Sequence, residues 1–215
     1  MPGRGVLGVD SMRSLLRSLS SAYFKSRIRR KYPFLQPLFS VPSQLTPQER
    51  YQLFELAAGR ETVLEIGSYT GASACCFGSA SKQSGKGRVF CIDTWNNDSM
   101  SEGCKDTYQE FLQNTSSFSD FIVPIRGLST EVAAHFKTEV QSVDLLFIDG
   151  DHSYSGVKAD WETYKDRLRQ GSIVVFHDYG WADGVRRVVH EDVSPYIDVS
   201  AQLPNMWWGT VSQHI

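Results

Sequence analysis

Two short clusters hold the reactive side chains of this 215-residue chain. Asp149-Gly150-Asp151-His152 closes the apolar run Val143–Ile148, which Asp144 interrupts, and His177-Asp178 closes the run Ile173–Phe176 about one strand-helix-strand unit later. In an alternating α/β chain such runs become parallel strands, and their C-terminal ends open onto the ligand crevice. Two acids and an imidazole at one strand end, with an imidazole and an acid at the next, can therefore converge on one small volume. Such a cluster can hold a hard cation, and it can hold a base against a substrate hydroxyl. That is the chemistry of an enzyme.

A second constellation lies upstream. Val63-Leu64-Glu65-Ile66-Gly67-Ser68-Tyr69-Thr70-Gly71 reads as a strand running into a glycine turn and then a helix. Gly67 lets the backbone approach a ligand, and Gly71 permits tight entry into the helix. The Gly-x-x-x-Gly spacing is neither the Gly-x-Gly-x-x-Gly of a dinucleotide loop nor a phosphate loop, which ends in Gly-Lys-Ser/Thr. Glu65 would repel a polyphosphate and suits a ligand with a positive amine. Asp93 ends the next strand, where a carboxylate can accept both ribose hydroxyls of an adenosine. Trp95 either stacks on the adenine, walls the pocket, or packs in the core.

The elements that must position these groups alternate. Strands are expected at Thr62–Ile66, Arg88–Ile92, Phe121–Ile125, Leu145–Ile148 and Ile173–Phe176, and one or two more in the tail. Helices are expected at Ser73–Ala80, Cys104–Gln113, Ser129–Phe136, Tyr154–Gln170 and Gly184–His190. The long helix places Val157, Trp161, Tyr164 and Leu168 on one core-facing stripe, and Gly171 ends it. Thr46-Pro47-Gln48-Glu49 has the Thr cap, Pro at N1 and Glu at N3 of a helix start running to Gly59. Strict alternation implies a doubly wound, mostly parallel α/β sheet with helices on both faces. Residues 46–215 would form that domain. Residues 1–45 would form a basic helical arm, helical over 11–31, followed by a Pro-rich linker.

Composition narrows the class. A hydrophobic content of 41%, a charged content of 21% and a net charge of -2 describe an ordinary globular protein with no overall pull toward nucleic acid. The charge is uneven, because residues 1–31 carry eight basic side chains against Asp10 alone. That arm reads as a lid or an oligomer contact (a homo-oligomer is expected), as a membrane-surface helix, or as a tail. Four cysteines without framework spacing, no apolar run long enough to span a bilayer and no signal-like N-terminus predict a soluble, cytoplasmic protein. Two loops, Trp95 to about Ser101 and Tyr179-Gly180-Trp181-Ala182-Asp183, should border the substrate crevice. Aromatics mixed with Asn and Asp suit a sugar, a glycoside or a phenol.

On these motifs the chain resembles the class I S-adenosylmethionine-dependent methyltransferases with a Rossmann-like sheet. Glu65-x-Gly67-x-x-x-Gly71 looks like their first motif and Cys91-Ile92-Asp93 like their second. Phe147 to Tyr154, Val157-Lys158-Ala159-Asp160 and Val175 to Tyr179 are similar to a subgroup of macrocin- and mycinamicin-type sugar O-methyltransferases and cephalosporin hydroxylase-like proteins. The resemblance covers roughly residues 60–190. It implies that Glu65, Gly67, Ser68 and Gly71 hold the methionine part of the cofactor and Asp93 the ribose. It also implies that Gly127-Leu128-Ser129 contacts adenine. Asp149 and Asp178 match positions that bind a divalent cation, Mg²⁺ or Mn²⁺, with His177 at a third such position where those families carry a carboxylate. An imidazole there suits Mg²⁺ poorly. His152 falls where the related enzymes place a catalytic base. The implied activity is methyl transfer to a hydroxyl of a small natural product or sugar. A metal-dependent hydroxylase using the Asp and His groups as iron ligands is the alternative.

Overall fold

A computed structural model of the chain describes residues 9–96, 104–136 and 140–212. Five parallel strands form the centre of one sheet: β1 (Thr62–Ile66), β2 (Arg88–Asp93), β3 (Ile122–Arg126), β4 (Val143–Ile148) and β5 (Leu168–His177). A C-terminal hairpin, β6 (Ile197–Leu203) and β7 (Met206–Val211), adds antiparallel through β7, giving the order β3-β2-β1-β4-β5-β7-β6. The tail thus supplies both of the strands expected there. The order reverses between β1 and β4, so the ligand crevice of such a sheet opens above their C-terminal ends.

Strand side chains alternate between two apolar layers, as the two-residue period requires. Val63, Val89, Cys91, Leu145, Phe147 and Val175 enter one layer, and Leu64, Phe90, Ile92, Leu146, Ile148 and Val174 enter the other. The first is covered by α2 (Pro47–Ala57) and α3 (Ala72–Ser84), which contribute Leu53, Phe54, Ala74 and Phe77. The second is covered by α6 (Tyr154–Tyr164) and α7 (Asp183–Val188), with α5 (Ser129–Phe136) alongside. Helix α4 (Tyr108–Thr115) starts four residues later than the expected Cys104. Thr46 caps α2 through the expected reciprocal pair with Glu49, and that helix ends at Ala57, two residues before Gly59.

The expected helix to Gln170 is shorter in the structure. Helix α6 stops at Tyr164, one 3₁₀ turn follows, and β5 already begins at Leu168. Gly171 sits inside that strand at φ +83°, and Ser172 Oγ accepts from Arg169 N–H and donates to the Val143 carbonyl. These side-chain bonds hold a polar stretch against β4 without a helix. All four stripe residues are fully buried, Leu168 from the strand.

The N-terminal segment is built into the same core. Helix α1 (Val9–Lys31) and the 3₁₀ stretch Pro33–Phe39 pack on α2 and α3. Ile28, Leu35, Leu38, Phe39, Val41 and Leu45 join the layer that contains Val63 and Phe147. Among the described residues no helix is long and apolar enough to cross a membrane.

Candidate active site

The crevice above the switch point is a cavity of about 940 Å³. Gly67, which lines it, stands at φ +86°, and a Cβ there would lie 2.1 Å from the Asp149 carbonyl oxygen. The glycine expected to admit a ligand therefore first admits the end of β4. Gly71, at φ +91°, stands at the N-cap of α3 with no side chain capping the helix, so its first-turn amides are open to an anion.

Glu65 lies beneath this loop and is fully buried. Its Oε2 accepts from Ser68 Oγ at 2.7 Å, while Oε1 has no hydrogen-bond partner among the described residues. Burial pushes its carboxyl up to about 7. A buried carboxylate oxygen without a partner is costly and fits a ligand ammonium.

Asp93 ends β2 and ties two loops together: Oδ2 accepts from Tyr69 N–H at 2.8 Å and Oδ1 from Trp95 N–H at 2.6 Å. Each oxygen keeps a second lone pair, and Asp93 lines the crevice. Trp95 is fully buried, donates Nε1–H to the Tyr69 carbonyl and packs on Tyr108 and Phe111. Its ring supports the wall from behind and does not line the cavity. Residues 97–101 of the polar loop lie outside the described residues.

Gly127, Leu128 and Ser129 line the far end of the crevice, with Leu128 52% exposed. Ser129 Oγ hydrogen-bonds the Asp160 carboxylate, and Tyr164 donates to the Ser129 carbonyl at 2.6 Å. Asp160 is buried, and burial pushes it up to about 6. Its motif was readable, but nothing in sequence spacing pairs it with Ser129.

Asp149, His152 and Asp178 each offer one ligand atom within 4.8 Å of the others. His152 Nε2 lies 2.8 Å from Asp178 Oδ2, and this bond raises its pKa above the ordinary histidine range against the effect of burial. His177 does not join that group. Its Nδ1 faces Asp149 Oδ1 at 3.1 Å and Asp178 Oδ1 at 3.3 Å, and its Nε2 faces Glu49 Oε2 at 3.9 Å. Burial alone would lower its pKa, but the carboxylates, Asp149 foremost, push it up to about 12. Its Nε2 also stands 3.5 Å from Asn205 Nδ2, so both ring nitrogens face protein groups, and the expected third ligand lies among these partners and outside the cluster of Asp149, His152 and Asp178. Burial would raise Asp178, yet the hydrogen bonds from His152 and His177 hold it well below the usual carboxylate range.

Three non-glycine residues in left-handed backbone conformations border the crevice or support its wall, Tyr69, Trp95 and Asp178, one after each of β1, β2 and β5. Such conformations cost about 1–3 kcal/mol each and persist where surrounding bonds over-determine them. Two contributors escaped sequence reasoning. Glu49 reaches His177 from α2, and Asn205, on the β6–β7 turn, donates Nδ2–H to Asp178 Oδ1 at 2.8 Å.

Residues 64–179 match the family described as a methyltransferase domain. An uncharacterised Sinorhizobium fredii protein is 32% identical over 118 residues, 54% of this chain and 13% of that protein. An uncharacterised protein of Acanthamoeba polyphaga mimivirus is 38% identical over 55 residues, 24% of this chain and 25% of its own length. The chain thus spans a quarter or less of these curated relatives. Among solved structures, a Podospora anserina methyltransferase bound to SAH (S-adenosylhomocysteine) has a TM-score of 0.64 at 12% identity, over 99% of this chain and 100% of that one. The Bacillus cereus O-methyltransferase in complex with SAH has a TM-score of 0.61 at 14% identity, over 90% and 91%. CalS11, a TDP-rhamnose 3'-O-methyltransferase of calicheamicin biosynthesis, has a TM-score of 0.60 at 15% identity, over 96% of each chain. At these identities the structural likeness speaks for the fold. The family match covers the glycine loop, Asp93 and both strand-end clusters, and the chain belongs to the methyltransferase-domain family.

Proposed function

We propose that this chain is an S-adenosylmethionine-dependent O-methyltransferase acting on a hydroxyl of a small natural product or sugar in the cytoplasm. The observation that carries the reading is the unpartnered buried oxygen of Glu65 beneath the glycine loop, with the open N-terminus of α3 and the His152–Asp178 pair both lining the crevice above that loop. Family membership and the sugar and SAH-bound structural neighbours support it.

In this reading Glu65 accepts the ammonium of the methionine part, and the α3 amides take its carboxylate. Asp93 accepts from the ribose hydroxyls, and Gly127-Leu128-Ser129 bounds the adenine. S-adenosylmethionine, when bound, supplies an electrophilic methyl group and leaves as a neutral thioether. His152 takes the acceptor's hydroxyl proton. With Nε2–H donated to Asp178, the lone pair of the neutral ring is on Nδ1, which is the accepting atom. Positioning of oxygen, methyl carbon and sulfur in line supplies most of the acceleration.

Asp149 and Asp178 suit a hard divalent cation, Mg²⁺ or Mn²⁺, which would lower the pKa of an acceptor hydroxyl. One imidazole cannot be ligand and base together, so His152 is assigned the base role. The hydroxylase alternative asks both imidazoles to bind iron, and His177 has Nδ1 committed to carboxylates.

Titration calorimetry with S-adenosylmethionine, with and without Mn²⁺, tests the reading. Micromolar binding is expected, and no heat at high micromolar donor would overturn it. His152→Ala should abolish methyl transfer while leaving donor affinity unchanged and costing Mn²⁺ affinity no more than about tenfold, the loss of one orienting bond to Asp178. A large loss of Mn²⁺ affinity in that variant would make His152 a ligand and remove the base assignment.

A further inference from the structure

The two oxygens of Asp178 are not equivalent. Among the described residues Oδ2 faces only His152 Nε2, at 2.8 Å, whereas Oδ1 receives Asn205 Nδ2–H at 2.8 Å and Trp181 Nε1–H at 2.8 Å, with His177 Nδ1 at 3.3 Å. An oxygen so supplied with donors has no lone pair left for a cation, so Oδ2 is the working atom. We propose that Asn205 is a positioning residue that selects this oxygen, by clamping the Asp178 carboxylate from the tip of the β6–β7 hairpin. The proposal rests on the reading of Asp178 as a working carboxylate.

The amide orientation of Asn205 is fixed by its neighbours. Its Oδ1 accepts Gly180 N–H at 3.1 Å, which leaves only Nδ2–H to face the carboxylate. The turn is seated by shape as well, because a Cβ on Gly180 would lie 2.2 Å from the Pro204 carbonyl oxygen. Leu203 pairs with Met206, so Pro204-Asn205 is a two-residue turn whose geometry is set by the hairpin register. Met206 in turn pairs with His177 on β5. The hairpin therefore carries the clamp in a fixed place relative to the strand end it serves. Asp178 needs such support, since its φ of +57° is one that a carboxylate residue adopts at a cost. Trp181 supplies the second donor from Asp178's own turn, and the edge of its ring meets His152 with centroids 5.1 Å apart.

Two variants separate the donor from the hairpin's seat. Asn205→Ala removes the bonds to Asp178 and Gly180 together with the 3.5 Å contact to His177 Nε2, whereas Asn205→Asp keeps the acceptor for Gly180 and removes the donor to Asp178. In ¹⁵N-labelled full-length protein the Trp181 indole resonance, identified by its loss in Trp181→Phe, should move in both variants. The Gly180 amide resonance should move in Asn205→Ala alone. Removing a bond that orients a metal ligand typically costs tenfold or more in affinity. Asn205→Ala should accordingly lose about tenfold in Mn²⁺ affinity while SAH affinity changes less than about twofold. An indole resonance that stays in place in both variants overturns the proposal, as does an Mn²⁺ affinity equal to the unaltered protein's. If the unaltered protein takes up no Mn²⁺, the cation reading fails by itself, and the indole resonance alone decides the clamp.

Discussion

Glu65 is the residue whose chemistry is most exposed to measurement. Its carboxyl is pushed up to about 7 by burial, and its Oε1 has no hydrogen-bond partner among the described residues. A bound ammonium holds Glu65 ionised, so ligand binding must release its proton. The sign follows: affinity rises as pH rises through about 7 and levels off above it. SAH should bind about tenfold more weakly at pH 6 than at pH 8. Calorimetry in two buffers of different ionisation enthalpy reads both the affinity and the released proton. Glu65→Gln should abolish the pH dependence together with most of the affinity, and a flat profile in the unaltered protein would sink the assignment. Asp160 gives a second test of opposite kind. Its folded pKa of about 6 exceeds the unfolded value, so the fold binds its proton more tightly. Stability then falls as pH rises from about 4 to about 6, by up to about 3 kcal/mol. Asp160→Asn keeps an acceptor for Ser129, and urea melts at pH 5 and 7 should show it losing that slope.

At the scale of elements, the central strands were legible because strands buried on both faces read as apolar runs bounded by turn residues. Their ends were legible too, since Glu65, Gly67, Asp93, Asp149 and Asp178 all fall where a strand stops. The α6–β5 boundary was not: Arg169-Gln170-Gly171-Ser172 looks like a helix end, and only its bonds to β4 make it strand. His177 also misled, because consecutive positions suggest two ligands. The left-handed turn at Asp178 and the acid arriving from α2 are invisible to spacing. Asp144, the acid that interrupts the β4 run, acts at the opposite end of the sheet. It accepts from Glu61 N–H at 2.9 Å and Thr62 N–H at 3.0 Å and pairs with Arg169 at 2.6 Å. Asp144→Ala strands two backbone donors at a partly buried site and should cost about 2 kcal/mol, measured by urea melts, with SAH affinity unchanged. Gly67→Ala acts where β1 and β4 nearly touch and should lose SAH binding, since a Cβ 2.1 Å from the Asp149 carbonyl forces the two strand ends apart. Equal SAH affinity in Gly67→Ala would show that the crevice tolerates that separation.

The whole molecule bears on the expected boundary at residue 46. A separate arm would leave the core intact when removed. Yet Leu35 and Leu38 are wholly buried, and Phe39, Val41 and Leu45 nearly so, in the layer shared with Phe77 and Phe147. Burial of such side chains contributes about 1.5–3 kcal/mol each, so the five together contribute about 10 kcal/mol. That is as large as the entire stability of a typical domain, about 5–15 kcal/mol. Arg50 adds a polar tie, donating to the carbonyls of Leu38 at 2.8 Å and Leu45 at 3.2 Å from a buried position that would otherwise leave its charge without hydrogen bonds. The same stretch reaches the active site twice. Pro42 to Leu45 line the crevice, and Glu49 just beyond them faces His177. A chain starting at residue 46 should therefore fail to unfold cooperatively and should bind SAH at least about a hundredfold more weakly, the equivalent of about 2.7 kcal/mol. A chain starting at residue 20 keeps every one of these buried groups and should melt as one unit with SAH affinity intact. Calorimetric melts of the two truncations distinguish a core segment from an appendage, and a cooperative transition in the shorter chain would restore the boundary at 46.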